Sequence, residues 1–420
     1  MQFRFKWPLW IIYIFIFLTG VSITKANTPA DSNQLSIGLW RGEILRTDGH
    51  VIPFNFQTKK LAGKMIIYVI NGTERLMVDQ IRQQGDSLFI DMPFFDSHFA
   101  LRILEDQKLE GRWIKNYGNR QVQTPFRAVF PGPERYPAPK APDFNISGRW
   151  SVHFKNEKDS TEAVGEFTQA ESQVRGTFLT ITGDYRFLEG VVSGDTLKLS
   201  TFDGANAYSF ESEIMDTNKM RGYFYSGASS VHTWVAEKNE QAKLPDEYKQ
   251  TRLKDSTDAT LHFKFPDLGE HQVSLSDPLY KNKVVIVQIL GSWCPNCMDE
   301  TRFLSAYYLQ NKSRGVEVVG LSYERTTSFA ETKKLLQPFI TRFHVTYPIL
   351  ATGVLAGDSL RTEKTLPEIS EIIGFPTTVF IDKKGLVRKI HTGFNGPGTG
   401  AHYEMYKKEF NGLVNNLLAE

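Results

Sequence analysis

Cysteine is nearly absent from this sequence, because its 420 residues include only two, Cys294 and Cys297. The chain therefore has no cysteines left over for structural bridges. A disulfide between these two residues would close so short a loop that it would stabilise the fold little by the loop-entropy argument. A structural zinc site needs four cysteine or histidine ligands, and the sequence has no second C-x-x-C and no paired-histidine motif. These absences favour redox chemistry at the two thiols.

A large excess of charge of either sign is also missing. The chain has 49 basic and 47 acidic side chains, which gives a formal net charge of +2. No block of Lys and Arg is present that would follow a phosphate backbone, so we expect no nucleic-acid partner. The nine histidines are scattered without the spacing of metal ligands, and we expect neither a metal nor a cofactor.

A long hydrophobic run occurs at the N-terminus, from about Trp7 to Ile23, after two basic residues. With a cleavage position after Ala26, this pattern predicts a signal peptide over residues 1–26, and an uncleaved N-terminal anchor is the alternative. No cysteine follows the run, which excludes a lipoprotein anchor. We therefore expect a periplasmic or cell-envelope location. Disulfides persist there, so the two cysteines are better interpreted as working thiols.

Short alternating runs of apolar and polar residues, broken by Gly, Asn and Asp, cover about residues 38–130 and 148–237. They predict many short antiparallel strands. The two halves also resemble each other: "GLWRGEI" answers "SGRWSVHF", "GDSLFI" answers "GDTLKL", and "KLEGRWI" answers "KMRGYFY". The partners lie about 110 residues apart each time, which predicts a duplicated small β-barrel or sandwich.

The organisation predicted from these patterns is a multi-domain chain. Residues 35–131 and 145–238 are expected to form two tandem all-β barrel or sandwich domains, and residues 257–420 an α/β domain. Residues 131–142, "PGPERYPAPKAP", predict a proline-rich, semi-rigid spacer between the β domains. The aromatic residues of the repeats are expected in the barrel cores, and nothing in either repeat identifies a ligand.

In the last part of the chain, strands alternate with helical stretches. Val284–Leu290 is an almost continuous apolar run, as expected of a strand buried on both faces of a central sheet. The other predicted elements are helices at residues 295–311, 328–343 and 402–418, a strand at 316–321, and a hairpin of strands at 377–382 and 386–391.

The two cysteines lie between the buried strand and the first of these helices, in "GSWCPNC". A thiolate at the start of a helix is stabilised by the unpaired N–H groups and the positive dipole end there. Pro295 suits the first helical turn, because its missing N–H would be unpaired anyway. We therefore predict Cys294 as the exposed nucleophile and Cys297, one turn deeper, as the resolving thiol. Trp293 is expected to shield the pair from bulk water.

A second motif, "GFPTTVFID", places Phe375 and Pro376 directly before the hairpin. A proline at this position is expected to be cis and to face the C-x-x-C, where the preceding backbone meets an incoming polypeptide. With "SWCPNC", this motif resembles the thioredoxin superfamily, and "VVGLSYE" is similar to its exported TlpA/ResA-like branch. The resemblance covers roughly residues 260–420 and implies a thioredoxin-like fold for the α/β domain.

The resemblance also implies roles for particular residues. Cys294 and Cys297 correspond to the redox pair, Pro376 to the cis-proline, and Glu300 to the acidic residue three positions after the second cysteine. Gln288 stands where cytoplasmic thioredoxins have a buried aspartate, so we expect Glu300 to take over the proton relay.

Plainer interpretations of these side chains stay open. Gln288 is expected, first of all, to be a core polar residue bonded to backbone. Glu300 is alternatively a solvated charge on the helix surface. Asp299 is expected only to favour the helix N-terminus.

The function predicted from these motifs is that of an exported thiol-disulfide oxidoreductase that reduces protein disulfides. Its expected partners are disulfide-containing proteins and a membrane or periplasmic thiol-disulfide reductant. One alternative is a peroxiredoxin-like thiol peroxidase, although such enzymes usually have Thr or Ser where this chain has Gly291. Another is a surface binding module for glycan or lipid with a redox tail.

Overall fold

The computed structural model describes residues 1–2, 34–93, 95–118, 120–157 and 159–420. The predicted signal peptide lies outside these residues, apart from the first two. Within the described ranges, no helix combines the length and the apolar composition needed to cross a bilayer.

The first half of the chain folds into a nine-stranded antiparallel sheet, here called the first sheet. Its strands are β1 (Gly38–Leu45), β2 (Val51–Leu61), β3 (Lys64–Asn71), β4 (Glu74–Val78), β5 (Gln80–Gln84), β6 (Ser87–Asp91), β7 (Ser97–Leu104), β8 (Lys108–Tyr117) and β9 (Arg120–Val129). The strand order is β4-β3-β2-β1-β9-β8-β7-β6-β5. The sheet is thus barrel-like, with consecutive strands β4 and β5 at its two edges.

The next nine strands form the second sheet, which is also antiparallel. They are β10 (Gly148–Lys155), β11 (Ser160–Ala170), β12 (Gln173–Thr180), β13 (Gly183–Asp184), β14 (Leu188–Ser193), β15 (Thr196–Phe202), β16 (Ala207–Asp216), β17 (Lys219–Ser226) and β18 (Ser230–Lys238). The order is β11-β10-β18-β17-β16-β15-β14-β12-β13, and β11 also pairs with β12. This additional pairing closes the sheet into a barrel.

The repeated segments occupy matching places in the two sheets. Trp40 in β1 and Trp150 in β10 are both fully buried. The indole N–H of each donates to the carbonyl oxygen four residues earlier, at 3.1 Å to Ser36 and 2.9 Å to Ile146. Alternation along each strand sends such residues inward, as the period of two requires. Each half therefore has its own sheet, and the assignment of two tandem domains with the stated boundaries stays a prediction.

The segment at residues 131–142 is not the spacer that its prolines predicted. Its Arg135 and Tyr136 are buried at the contact between the two sheets. The guanidinium of Arg135 donates to the carbonyl oxygen of Ser200 at 2.8 Å and to that of Ile70, and the hydroxyl of Tyr136 bonds that of Ser209 at 3.1 Å. The prediction was wrong because these two side chains supply polar anchors that composition alone does not reveal.

The last part of the chain is α/β. Its strands are β19 (Lys264–Pro266), β20 (Gln272–Ser274), β21 (Val284–Leu290), β22 (Val316–Ser322), β23 (Ile349–Ala351), β24 (Thr377–Ile381) and β25 (Val387–Thr392), and its helices are α1 (Pro295–Asn311), α2 (Phe329–Phe343), α3 (Arg361–Thr365) and α4 (Ala401–Ala419). Five strands form a central sheet in the order β23-β22-β21-β24-β25.

In this central sheet β21, β22 and β23 run parallel, and β24 and β25 are antiparallel to their neighbours. Every residue of β21 and β22 is buried, as predicted for strands covered on both faces. The sequence patterns missed the β19–β20 hairpin, β23 and α3, which are too short to show a period. The barrel-like sheets and the C-terminal α/β region agree with the predicted fold class at this coarser level.

Candidate active site

The two cysteines lie at the junction between β21 and α1. Cys294 is the N-cap residue of α1, and Pro295 is the first residue of that helix, as the sequence predicts. The backbone N–H of Cys297 donates to Sγ of Cys294 at 3.2 Å. The Cys294 thiol also lies 3.5 Å from the carbonyl oxygen of Phe375. One sulfur is thus held at the positive end of the helix dipole, next to the loop that carries Pro376.

Neither thiol is exposed. Cys294 is only 5% exposed and Cys297 is fully buried, so the predicted exposure of Cys294 was wrong, whereas its role as the nucleophile stays a prediction. A loop of the second sheet lies across the cavity in front of Cys294. Burial raises the pKa of Cys297 well above its ordinary value, and the hydrogen bond and charge of the neighbouring Cys294 add to this shift. Cys297 therefore needs a base before it can act as a nucleophile.

The loop before β24 faces the thiols from the other side. The peptide bond between Phe375 and Pro376 is cis, as the motif predicts. The Phe375 ring meets the Trp293 ring edge-on, with centroids 5.4 Å apart, and the Trp293 indole N–H donates to the carbonyl oxygen of Tyr323 at 2.9 Å. Two aromatic side chains therefore flank Cys294.

Glu300 is a fully buried side chain on α1, one turn after Cys297. Its carboxylate accepts three hydrogen bonds, from Thr378 Oγ1 at 2.6 Å, Gln288 Nε2 at 2.8 Å and the Tyr406 hydroxyl at 3.2 Å. Burial raises the pKa of Glu300, and the bonds from Thr378 and Gln288 partly oppose that shift. The interpretation of Glu300 as a solvated surface charge is therefore wrong.

Gln288 is also fully buried, but its partners are side chains and not backbone. Its amide oxygen accepts from the Thr301 hydroxyl at 3.1 Å, while its N–H group bonds Glu300. The expectation of a backbone-bonded residue is thus corrected. Gln288 instead helps to fix the carboxylate beneath the C-x-x-C.

Glu324 is a site residue that the sequence reasoning missed. It follows β22 and is buried. It accepts from the Ser292 backbone N–H at 3.0 Å, the Ser292 hydroxyl at 2.8 Å and the Ser322 hydroxyl at 2.6 Å. Burial raises its pKa, and these hydrogen bonds oppose the shift. The sequence signal for this residue was present in "VVGLSYE", where Glu324 lies two residues after the end of a buried strand. Glu324 holds the turn that leads into Cys294.

Arg325 is a second missed residue, and its partners come from two parts of the chain. Its guanidinium carbon lies 4.6 Å from the ring centres of both Tyr117 and Trp293. Tyr117 belongs to the first sheet, so no local pattern could have linked it to the thiols. A cation is thus held between two aromatic faces beside the C-x-x-C.

The cap is our name for residues 180–186 of the second sheet, which lie over the thiols. Two contacts of the cap are made by Asp184. The carbonyl oxygen of Asp184 accepts from Asn296 Nδ2 at 3.2 Å, and the carboxylate of Asp184 accepts from the Gly396 N–H at 2.7 Å. Burial raises the pKa of Asp184 to about 6, against the effect of the Gly396 hydrogen bond. Residues of the cap and Cys294 line the same cavity.

A buried cluster of charges completes the contact. Arg186 of the cap pairs with Asp299 on α1 at 2.9 Å, with Glu74 of the first sheet at 2.6 Å and with Asp203 of the second sheet at 3.5 Å. The expectation that Asp299 only favours the helix N-terminus is therefore wrong. Its carboxylate is 2% exposed and joins the three parts of the molecule.

The described ranges contain no group of three or more His, Cys, Asp or Glu side chains arranged to hold a metal ion. The chemistry that the site offers through its own side chains is that of two thiols, one buried carboxylate below them and a guanidinium beside them.

Comparison with known proteins is consistent with this geometry. Residues 254–406 match the Redoxin family model. The C-terminal region is a Redoxin domain. Over 131 residues it is 31% identical to the thiol-disulfide oxidoreductase ResA of Geobacillus kaustophilus. This alignment covers 31% of this chain and 66% of that relative. It is 27% identical over 141 residues to the thiol:disulfide interchange protein DsbE of Escherichia coli, covering 32% of this chain and 65% of the relative.

This chain therefore spans just under two thirds of the length of these relatives, and the Redoxin match leaves out both β sheets. A solved structure of a DsbF homologue from Corynebacterium diphtheriae also resembles it, with a TM-score of 0.30, 20% identity, and coverage of 41% of this chain and 98% of the other. The two sequence relatives are named as a thiol-disulfide oxidoreductase and a thiol:disulfide interchange protein. They do not favour the thiol peroxidase or the binding-module alternative.

Proposed function

We propose that this protein is an exported thiol-disulfide oxidoreductase that reduces disulfides through a dithiol/disulfide cycle of Cys294 and Cys297. The observation that carries the proposal is the position of Cys294. Its sulfur caps α1, accepts the N–H of Cys297 at 3.2 Å and faces the Phe375 carbonyl oxygen at 3.5 Å. The names of the relatives support the same reaction class.

In the first step of the proposed cycle, the Cys294 thiolate attacks one sulfur of the substrate disulfide. A mixed disulfide forms, and the first substrate thiolate leaves. Cys297 then loses its proton and attacks the sulfur of Cys294, which releases the second substrate thiolate and leaves a Cys294–Cys297 disulfide. Two electrons pass from the protein to the substrate, and the protein must be reduced again before another turnover.

Glu300 is the proposed acceptor of the Cys297 proton. Its carboxylate is buried on the same helix one turn further on, and burial raises its pKa towards the range in which a carboxylate accepts protons well. Three hydrogen bonds fix its orientation, and Gln288 supplies one of them. Gln288 itself is an amide that does not titrate, so we assign it a positioning role.

Disulfide-containing proteins and an upstream thiol-disulfide reductant are the proposed partners, and the periplasm or cell envelope is the proposed location. An N-terminal signal peptide would direct the export, with an uncleaved anchor as the alternative. Because Cys294 is only 5% exposed and shares its cavity with the cap, we infer that the cap moves when a folded protein partner reaches the sulfur.

The test uses the purified protein with two substrates, insulin and the small neutral hydroxyethyl disulfide. Cys294→Ser should abolish reduction of both. Cys297→Ser should still attack but should accumulate the mixed disulfide, which mass spectrometry detects. Each variant is the control for the other, because both replace one sulfur with oxygen. Reduction at the wild-type rate by Cys294→Ser would show that the nucleophile is wrongly assigned.

A further inference from the structure

A cavity of about 300 Å³ lies directly in front of Cys294. On one side it is bounded by the C-x-x-C and Arg325, and on the other by the mouth of the closed second sheet, where Tyr185 and Tyr208 line it. Its volume is at the lower end of the range for small-molecule sites, and barrel mouths are common places for such sites. Cys294 thus faces a partly open cavity of the size of a small ligand.

The cap packs closely against the loop that carries the cis-proline. Its Thr182 lies so close to Gly374, next to Phe375 and Pro376, that a Cβ on that glycine would be 2.6 Å from Thr182 Cγ2. A Cβ on Gly393 would be 2.8 Å from the carbonyl oxygen of Ile181. Only glycine permits such approaches on this face of the Redoxin domain. The contact beside the cis-proline is therefore closely fitted.

Arg325 brings a positive charge to the cavity, and the carboxylates of Glu324 and Asp96 act on it only through longer-range electrostatic attraction. Within the described ranges, no acidic side chain forms an ion pair with its guanidinium within 4.0 Å, and its guanidinium carbon lies 4.6 Å from the ring centres of Tyr117 and Trp293. A guanidinium has five N–H donors and pairs well with a carboxylate. Its donors are therefore available to a ligand beside Cys294.

The acidic side chains around the cavity are already engaged. Asp203 accepts the backbone N–H groups of Ala205 and Asn206 at 2.9 Å and 2.7 Å, and it pairs with Arg186. Asp184 accepts the Gly396 N–H. Two hydroxyl groups that line the cavity are free to bond a ligand. The hydroxyls of Tyr185 and Tyr208 have no hydrogen-bond partner in the part of the chain that the structure describes. The cavity therefore offers donors to an anionic, polar molecule.

We propose that this cavity is a binding site for a low-molecular-weight disulfide that carries a carboxylate. Arg325 pairs with the carboxylate, the hydroxyls of Tyr185 and Tyr208 bond the polar parts of the molecule, and the S–S bond lies at Cys294. This inference rests on the proposed function and names its substrate class. Cys294 forms the mixed disulfide and releases one substrate thiol. Cys297 then releases the second, so one disulfide and one protein dithiol give two thiols and one protein disulfide.

The experiment compares two disulfides of similar length and opposite charge, dithiodipropionate and cystamine, with insulin as the macromolecular substrate. The reduced full-length protein is mixed with each, and single-turnover rates are divided by those of dithiothreitol with the same disulfide. This division removes intrinsic differences in S–S reactivity. We expect the protein to prefer dithiodipropionate over cystamine by roughly tenfold or more, the effect of one charge-assisted hydrogen bond. We also expect insulin to have the lowest normalised rate.

The variants isolate Arg325. Arg325→Met should slow both small disulfides but reduce the preference for dithiodipropionate by roughly tenfold or more, while Arg325→Lys should retain most of it. Arg221→Met is the matched control, because it removes one exposed positive charge from the outer face of the second sheet and should leave the preference unchanged.

Three results would overturn the site: equal normalised rates for the two small disulfides in the wild type, an unchanged ratio in Arg325→Met, or the highest normalised rate for insulin. If Arg325→Met does not fold, the wild-type ratio and the lysine variant still decide. If the wild type reduces none of the three disulfides, the proposed function itself fails, which distinguishes that failure from a failure of the site.

Discussion

Replacing Asp299 with asparagine should loosen the contact between the cap and the C-x-x-C. In the native structure Nε of Arg186 donates to Asp299 at 2.9 Å, and the two side chains are 5% and 2% exposed. This is the ion pair that joins α1 to the cap. Asparagine has nearly the same shape and keeps one oxygen, so the substitution removes the charge with little change in packing.

The size of the effect follows from what remains after the change. Breaking a buried pair usually costs about 3–5 kcal/mol, because one charge is left alone. Arg186 is not left alone, since it keeps Glu74 at 2.6 Å and Asp203 at 3.5 Å. The loss should therefore be closer to that of one charge-assisted hydrogen bond, about 1.5–3 kcal/mol. The equilibrium for opening the cap should shift by roughly tenfold to a hundredfold.

The assay measures how accessible Cys294 is to reagents of different size. N-ethylmaleimide and a polyethylene-glycol maleimide share the same reactive group, so the ratio of their rates reports access and not thiol reactivity. Asp299→Asn should raise the rate of the large reagent relative to the small one by up to the shift in the opening equilibrium. The control is Arg302→Ala, which removes the exposed partner of the same carboxylate at 3.4 Å and leaves Arg186 in place. An unchanged ratio in Asp299→Asn would refute the argument that this pair holds the cap.

Three further predictions concern the proton acceptor, the pH dependence of stability and the contact between the sheets. In single-turnover exchange, Glu300→Gln should slow release of the mixed disulfide by roughly a hundredfold or more, which is the contribution of a general base. The control is Glu404→Gln, at an exposed position. Equal release rates in Glu300→Gln and the wild type would exclude a proton role for Glu300. Because burial raises the pKa of Glu300, the folded state holds this proton more tightly than the unfolded state. The free energy of unfolding should thus fall as pH rises from the ordinary value of 4.5 through the raised pKa, and the glutamine variant should lose that part of the slope. Phe202→Ala should lower the free energy of unfolding by about 3–5 kcal/mol in urea titrations, because this second-sheet ring stacks at 4.3 Å on Phe54 of the first sheet. The control Tyr223→Ala, at an exposed position, should have little effect. Equal losses of stability in the two variants would contradict the argument.

The elements that carry the thiols could be predicted from the sequence because their signals are local. The bounds of β21 and α1 agree with the predicted ones. A buried strand has a continuous apolar run, and a proline in the first turn marks the start of a helix. The cis bond before Pro376 was predicted from a motif of the same short range. Each of these signals fits within a few residues of chain.

The surroundings of the site could not be predicted, because they come from distant parts of the chain. Arg186 lies 113 residues before Asp299, and Tyr117 lies in the first sheet while Arg325 lies after β22. No period or spacing connects such residues, since contacts of this separation are set by how the three parts pack. The burial of Cys294 is a consequence of that packing. Because the sequence does not reveal the packing, an exposed nucleophile was expected.

The polar character of the cap contact explains how the cavity is aligned with Cys294. An apolar contact of the same area would tolerate sliding, because dispersion and hydrophobic burial have little directional preference. A guanidinium that pairs with Asp299, Glu74 and Asp203 has one favourable position relative to all three. A buried ion pair adds little net stability, so we interpret this cluster as a device that fixes orientation. The same orientation brings Thr182 against Gly374 and places the barrel mouth opposite the sulfur, so Arg186 contributes to the alignment of the cap with the C-x-x-C.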